Sequence, residues 1–188
     1  MLYIKFTISN QEKFIAFKEV YNHMCAVRKP GYQEKEATID IDWETATDED
    51  IDSFMDGDRP KIELFNQLFP VYAQEFLSNY FSYDNSKSVL VRADILPYFN
   101  YLEYGFEVDL NVLEELQNNE GIVKFSTDNY PYGGMERFLM TLKAFELNPI
   151  ECFDGFNVYQ FQWTSDYEHD AIILSEKTKE YLEFLQTK

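Results

Sequence analysis

An acidic stretch near the middle of the chain comes close to the spacing of a calcium-binding loop. Four residues match the first, fifth, sixth and twelfth positions of the twelve-residue EF-hand loop: Asp52, Asp56, Gly57 and Glu63. Phe54 stands at the third position, where an oxygen ligand is needed, and Pro60 stands at the ninth. These defects favour a solvated acidic segment over a calcium site. We therefore expect no metal and no cofactor.

The same stretch is a more plausible binding surface. Residues 34–63 contain twelve acidic and three basic residues, a charge of −9 that is half of the net charge of −18. A short predicted helix and turn should carry six carboxylates close together: Asp48, Glu49, Asp50, Asp52, Asp56 and Asp58. Such crowding is relieved by a cationic partner. The alternative is a solvated face that only maintains solubility.

The loop from Asp128 to Gly134 precedes a predicted helix and could present glycine amides to an anion. It lacks the Lys and Ser/Thr of a phosphate-binding loop and does not match the dinucleotide fingerprint. The sequence favours a structural interpretation, in which the glycines allow a tight, tyrosine-lined turn into the helix. Functional residues nevertheless often lie on such inserted loops.

No catalytic constellation stands out, so we lean against an enzyme and assign no catalytic residue. Glu168-His169-Asp170 places a histidine between carboxylates, but adjacent residues in a predicted loop rarely form a catalytic pair. Cys152 has no electropositive neighbours in the sequence. His23 lies on a predicted helix, where a partly buried structural role is expected.

Aromatic residues support an alternative site. Several of the 14 tyrosines fall in predicted loops, where amphipathic rings serve interfaces well. A small-molecule cleft between two halves of the chain would use these residues and the neighbouring glycines: Tyr98, Tyr101, Tyr130, Tyr132, Gly133 and Gly134. The other interpretation is that the rings cover the ends of the sheet.

Composition limits the classes of function. A net charge of −18 argues against direct nucleic-acid binding and against anionic membranes. Hydrophobic residues make up 45% of the chain and aromatics 18%, which is typical of a packed globular protein. No apolar run approaches the roughly 20 residues that cross a bilayer, and we expect a cytoplasmic protein whose two cysteines do not form a disulfide framework.

Strands and helices are expected to alternate along the N-terminal third. Residues 2–8 alternate as a strand, and a capping box at Ser9–Glu12 predicts a helix that ends at Pro30-Gly31. Residues 37–43 again alternate as a strand. A second capping box at Thr47–Asp50 predicts a short acidic helix.

The rest of the chain adds further helices and a hairpin. Pro70 should divide the helical region 60–81, residues 88–96 read as a buried strand, and Asp109 should cap a short helix through Leu116. After the strand 122–126 and a helix over 135–147, Asp154-Gly155 predicts a two-residue hairpin turn. A C-terminal helix is expected over 175–185.

An internal similarity suggests one unit used twice. Ile4–Asn10 aligns without a gap on Val123–Asn129, and both segments precede a helix. We expect one compact chain of 188 residues, with repeat units at about 1–58 and 121–188 joined by 59–120. The fold class is α+β, with a mixed or antiparallel sheet and helices largely on one face. We hypothesise that this fold is built from two related β-α-β units.

Two functional hypotheses follow. The first is a non-enzymatic cytosolic interaction protein that binds a basic protein partner through an acidic, tyrosine-containing surface, as an inhibitor, an immunity factor or a nucleic-acid mimic would. The second is a small-molecule-binding protein or enzyme with an aromatic cleft between the repeat units.

Overall fold

The computed structural model describes residues 1–32, 42–48, 50–51, 59–87, 94–127 and 135–187. Six strands in these ranges form one sheet in the order β2-β3-β1-β4-β5-β6, and every neighbouring pair is antiparallel. Their bounds are β1 Leu2–Ile8, β2 Asp109–Glu115, β3 Glu120–Ser126, β4 Leu147–Phe153, β5 Val158–Trp163 and β6 His169–Ile173. The predicted α+β class is confirmed, and the sheet is antiparallel.

Six α-helices whose bounds lie within the described residues accompany the sheet: α1 Gln11–Val27, α2 Arg59–Leu68, α3 Val71–Lys87, α4 Ile95–Asn100, α5 Glu136–Ala144 and α6 Ser175–Gln186. A π-helix, Tyr101–Gly105, continues α4. Pro70 separates α2 from α3 as predicted, since its ring cannot fit inside a continuous helix. The predicted hairpin joins β4 to β5, but its turn lies one residue later than predicted: the Asp154 amide donates to the Asn157 carbonyl at 3.2 Å, and Gly155, with a φ of 105°, and Phe156 lie between them.

The main core lies between the sheet and the helices that follow β1 and β3. Ile4 and Phe6 point to this side, and the Phe6 ring contacts Phe14 and Phe17 of α1. Helix α6 packs on the other face of the sheet, where Tyr181 contacts Tyr3 and Phe153. The helices therefore lie largely on one face, with α6 as the exception.

The prediction of a helix after Asp109 is wrong, because this segment is strand β2. The pairing of β2 with β3 shifts register between Leu110 and Val112, which is a β-bulge. The extra residue places Leu110 and Leu113 on the same side of the strand. Both side chains pack against the core, and their three-residue spacing resembled a helix for that reason.

Residues 98–105 are helical, so the prediction that the tyrosines of this segment lie in loops is wrong. Asp94 caps the start of α4, and its carboxylate accepts a hydrogen bond from the Ile95 amide at 2.8 Å. Residues 95–96 consequently belong to a helix rather than to the predicted strand 88–96, and residues 88–93 of that strand lie outside the described residues.

Two further expectations need correction. The cap of α1 is Asn10 rather than Ser9: the Asn10 side chain accepts from the Glu12 amide at 2.8 Å, whereas the Ser9 hydroxyl donates to the Glu146 carbonyl. His169 and Asp170, expected in a loop, belong to strand β6, His169–Ile173, at the edge of the sheet. Both faces of this strand are largely exposed, so apolar and polar residues do not alternate along it, and the sequence pattern did not predict a strand.

Two other expectations are the strand predicted at residues 37–43 and the internal repeat. Trp43 lies in a turn, so a strand does not reach it, and residues 37–41 lie outside the described residues. Strands β1 and β3, which open the two proposed repeat units, are neighbours in the sheet with Ile4 opposite Val123. The internal repeat stays a prediction.

Candidate interaction surface

The first feature of interest is an acidic turn, which we call the Trp43 turn and define as the described residues 42–48 and 50–51. Its first half is held together by Asp42, whose carboxylate accepts from the Glu44 amide at 3.1 Å and from the Thr45 hydroxyl at 3.0 Å. The Thr45 amide also donates to the Asp42 carbonyl at 3.1 Å. These bonds fix the backbone on both sides of Trp43.

The second half is the predicted capping box, and the structure confirms its geometry. The Asp50 amide donates to the Thr47 hydroxyl oxygen at 3.2 Å, while the Asp50 carboxylate accepts from the Thr47 amide at 2.8 Å. The Thr47 hydroxyl donates to the same carboxylate at 2.7 Å. These hydrogen bonds from Thr47 lower the pKa of Asp50, which therefore stays ionised.

Charge and exposure distinguish this turn. Residues 42–51 include five acidic residues and no Lys or Arg. The four acidic residues that the structure describes there are all exposed: Asp42, Glu44, Asp48 and Asp50. Trp43 is 65% exposed in their midst. The turn thus presents a large aromatic side chain surrounded by negative charge.

Only part of the predicted acidic site lies within the described residues. Asp48 and Asp50 are present there, both exposed at the start of a helical segment. The other four residues of the predicted site lie outside the described residues: Glu49, Asp52, Asp56 and Asp58. The near-match to a calcium loop, which begins at Asp52, lies largely outside them as well.

Two residues of the alternative cleft lie within the described residues, and both are in the core rather than at a surface. Tyr98 and Tyr101 are buried, and the Tyr98 hydroxyl lies 2.8 Å from the Arg137 carbonyl and 2.7 Å from the Thr141 hydroxyl. Burial raises the pKa of both phenols. The remaining residues of that site lie outside the described residues: Tyr130, Tyr132, Gly133 and Gly134.

A buried charge cluster, which the sequence did not indicate, is centred on Glu103 in the π-helix. Glu103 is 3% exposed, and its carboxylate contacts His23 Nε2 at 2.7 Å and Lys61 Nζ at 2.9 Å. Burial opposes ionisation of Glu103, but the hydrogen bonds from His23 and Lys61 outweigh it and lower its pKa. The His23 ring stacks on Phe99, with centroids 5.5 Å apart. His23 therefore has the structural role that its helical position predicted.

A groove of about 420 Å³ lies beside this cluster. It is lined by residues just after α1, in and after the π-helix, at the start of β2 and at the end of β3: Arg28, Glu103, Tyr104, Phe106, Glu107, Val108, Asp109, Ser126 and Thr127. The Arg28 guanidinium donates to the carbonyls of Met24, Leu102 and Phe106 at 2.7–2.9 Å. Arg28 thus ties the end of α1 to the π-helix and forms one wall of the groove.

A second buried carboxylate, Glu151, lies on the face of the sheet covered by α6. It accepts from the Tyr3 hydroxyl at 2.8 Å and pairs with Lys5 at 3.3 Å and with Lys177. Burial opposes its ionisation, yet the hydrogen bonds from Lys177 and Tyr3 lower its pKa. This cluster joins β1, β4 and α6, which is a structural role.

The remaining candidates for chemistry are not assembled into a reactive site. Burial, with smaller contributions from Asp154 and Glu151, raises the pKa of the Cys152 thiol to about 12, so this cysteine is a poor nucleophile. His169 points toward Phe161 and Trp163, with ring centroids 4.8 Å away in each case. Its neighbour Glu168 pairs with Lys87 instead.

Comparisons with known proteins add no family. No family model, no curated protein and no solved structure matches this chain. Among the helices of the described residues, none has the length and apolar character needed to span a bilayer. In the same part of the chain, no group of three or more His, Cys, Asp or Glu side chains could hold a metal ion. The geometry of the side chains is therefore the basis for a functional proposal.

Proposed function

We propose that this chain is a non-enzymatic interaction protein that binds a basic protein partner through the Trp43 turn. The observation that carries the proposal is the 65% exposure of Trp43 among the carboxylates of Asp42, Glu44, Asp48 and Asp50. Full burial of a large apolar side chain is worth about 1.5–3 kcal/mol, and the exposed 65% of Trp43 leaves the corresponding part of this free energy unrealised. A partner that covers Trp43 would recover that free energy.

Charge and aromatic character have complementary roles in such a surface. Binding hot spots are enriched in Trp, and the surrounding polar residues exclude water from them. Carboxylates around the anchor steer a basic partner toward it and speed association at low salt. The Trp43 turn combines an anchor with a ring of charge, which is the combination that recognition of a basic surface requires.

The hydrogen bonds of the turn also reduce the cost of binding. Asp42 holds the backbone of Glu44 and Thr45, and Asp50 and Thr47 bond each other reciprocally. A surface that is already ordered loses less conformational entropy when it binds. The hydrogen bonds from Thr47 also lower the pKa of Asp50, so that this carboxylate stays ionised.

The partner classes that fit are those with a basic functional surface. A nuclease or another nucleic-acid-binding protein presents Lys and Arg to phosphates, and an acidic surface with an aromatic ring imitates both the phosphates and a stacked base. An inhibitor, an immunity factor or a nucleic-acid mimic would act by occupying that basic surface.

Affinity capture at low salt with stepwise salt elution tests the proposal. The wild-type chain should retain a basic protein that elutes at moderate salt, and Trp43→Ala or the double variant Asp48→Lys/Asp50→Lys should fail to retain it. The double variant Glu75→Lys/Glu180→Lys makes the same charge change at exposed positions on α3 and α6, and it should retain the protein. Equal retention by all variants would refute the assignment of the surface.

A second candidate is a small-molecule site in the groove beside Glu103. The groove lies between α1 and β3, which belong to different proposed repeat units, and two of its lining residues, Tyr104 and Phe106, come from the aromatic segment 98–106. A volume of about 420 Å³ is within the usual range for a ligand pocket. The groove differs in its residues from the predicted cleft, since neither Tyr98 nor Tyr101 lines it, and what supports this candidate is its place between the two proposed units.

A thermal-shift screen of small molecules tests this second candidate. A ligand of the groove should raise the melting temperature of the wild-type chain and of Trp43→Ala equally, since Trp43 does not line the groove. It should raise the melting temperature of the variant Glu107→Gln/Asp109→Asn less. Hits that stabilise all of these variants alike would place the ligand elsewhere.

A further inference from the structure

Strand β6 ends the sheet and leaves one side of its backbone unpaired within the described residues. The Leu174 amide donates to the Val158 carbonyl at 2.8 Å, and the Glu168 carbonyl accepts from the Thr164 amide at 2.9 Å, so the even-numbered residues bond to β5. Alternation along an antiparallel strand then directs the N–H and C=O groups of His169, Ala171 and Ile173 away from β5. These groups form a template for another strand.

The side chains of β6 do not protect this edge. Ile172 is 46% exposed and Ile173 is 51% exposed, and they lie on opposite faces of the strand. Natural edge strands are usually protected by Lys, Pro, a bulge or a covering segment, and an exposed apolar edge is a pairing site. Ala171 between them is exposed as well. A strand added here would cover apolar surface on both faces.

Charge decides which kind of strand fits. Residues 165–176 contain four acidic residues and no Lys or Arg, a formal charge of −4. A second copy of this chain would bring a second set of these carboxylates to the same edge. Two chains of charge −18 also repel each other at longer range. A basic strand meets neither obstacle.

We infer that β6 binds an extended, basic segment of a partner protein by strand addition, with basic and apolar side chains alternating along that segment. Backbone hydrogen bonds to Ala171 and Ile173 would hold the segment, with its apolar side chains against Ile173 on one face and its basic side chains on the opposite face, which carries Asp170 and Ile172. The carboxylates of Asp166 and Asp170, both exposed, would face its basic side chains. The choice of a basic occupant rests on the proposed function, whereas the free edge is an independent observation.

Hydrogen exchange with a synthetic peptide tests the geometry. The probe is a blocked seven-residue peptide of alternating Val and Lys, and a Val-Glu peptide of the same length is its control. In the free chain, the amides of Ala171 and Ile173 should exchange much faster than those of Asp170 and Ile172, which bond to β5. The Val-Lys peptide should protect the Ala171 and Ile173 amides, and the Val-Glu peptide should not.

A matched pair of variants tests the same hydrogen bonds by affinity. Ala171→Pro removes an N–H that faces away from β5, a position where an edge strand tolerates Pro. It should weaken binding of the Val-Lys peptide about tenfold, as measured by fluorescence anisotropy, because a donor is lost and the edge no longer pairs regularly. Ala171→Val retains the amide and should bind like the wild type.

Each result decides the inference. Unprotected Ala171 and Ile173 amides in the presence of bound Val-Lys peptide overturn it, and so does equal binding by Ala171→Pro in a folded chain. If Ala171→Pro does not fold, the exchange experiment on the wild-type chain decides alone. Capture of the basic partner by Ala171→Pro but not by Asp48→Lys/Asp50→Lys would leave the proposed function intact and remove the strand addition. Capture by Asp48→Lys/Asp50→Lys but not by Ala171→Pro would support the strand addition and refute the Trp43 turn as the binding surface.

Discussion

Gly121 lies on β3 opposite Phe6 of β1, at a position where the structure leaves no room for a side chain. A Cβ atom added to Gly121 would lie 2.3 Å from Phe6 Cε2 and 2.5 Å from Phe6 Cζ. The Phe6 ring is fully buried and packs against Phe14 and Phe17, with centroids 6.0 Å and 6.4 Å away. It cannot turn aside without displacing α1. Gly121→Ala should therefore destabilise the fold.

The magnitude follows from the cost of overpacking. Extra methylene groups in a well-packed core cost about 1–3 kcal/mol. We expect the upper end, about 3 kcal/mol, because both contacts are shorter than any that a real Cβ atom makes and because α1 holds the ring in place. For a chain of 188 residues this corresponds to a decrease in Tm of about 6–12 °C.

Urea denaturation of a double-mutant cycle separates the clash from other effects. Phe6→Leu alone should cost about 1–2 kcal/mol, since it removes buried volume. In the double variant Gly121→Ala/Phe6→Leu, the new methyl group occupies part of the space that the ring left. The sum of the two single effects should therefore exceed the double effect by about 1 kcal/mol or more.

Two results would refute this reasoning. A Gly121→Ala chain within about 0.5 kcal/mol of the wild type would show that Phe6 has room to move. Additive effects in the cycle would show that the two side chains do not compete for the same space. The m-values should stay constant across the four chains, since a changed m-value would indicate an altered denatured or native state.

Two further predictions concern buried groups. Glu103→Ala should cost about 3 kcal/mol in urea denaturation, because it leaves His23 and Lys61 without the carboxylate that both contact. The folded chain lowers the pKa of Glu103 below its ordinary 4.5, so its contribution is present above pH 4.5 and is lost as the pH falls through the folded value. The difference in stability between wild type and Glu103→Gln should accordingly shrink below pH 4.5, and a constant difference would contradict the pairing. Cys152, with a pKa of about 12, should resist iodoacetamide at pH 8 in the folded chain and react once urea unfolds it; rapid reaction in the folded chain would contradict its burial.

Much of the fold follows from local patterns in the sequence. A few neighbouring residues determine each of four features: the alternation in β1, the helical stripe of α1, the division at Pro70 and the hairpin between β4 and β5. The errors arise where distant contacts decide. Leu110 and Leu113 have helical spacing, and only the pairing with β3 produces the bulge that makes them strand residues.

The interaction surface could be predicted in part. The capping box at Thr47 and the exposure of Asp48 and Asp50 follow from local residue types. The exposure of Trp43 does not, since alternation predicted a half-buried strand there. The Glu103 cluster could not be predicted from local sequence patterns. Glu103 and His23 are 80 residues apart and come into contact only when the π-helix packs on α1. The free edge of β6 likewise exists only once the strand order is known.

The measurement that tests the central claim most directly is the affinity of the captured basic partner for four chains over a range of salt concentrations. The chains are the wild type, Trp43→Ala, Asp48→Lys/Asp50→Lys and the control Glu75→Lys/Glu180→Lys. The account predicts that the wild type and the control bind with similar affinity and that affinity falls as salt rises. Trp43→Ala should lose more than tenfold, and Asp48→Lys/Asp50→Lys should lose both affinity and most of the salt dependence. Equal affinities for the four chains, or an affinity that does not change with salt, would contradict the claim that the Trp43 turn is the binding surface.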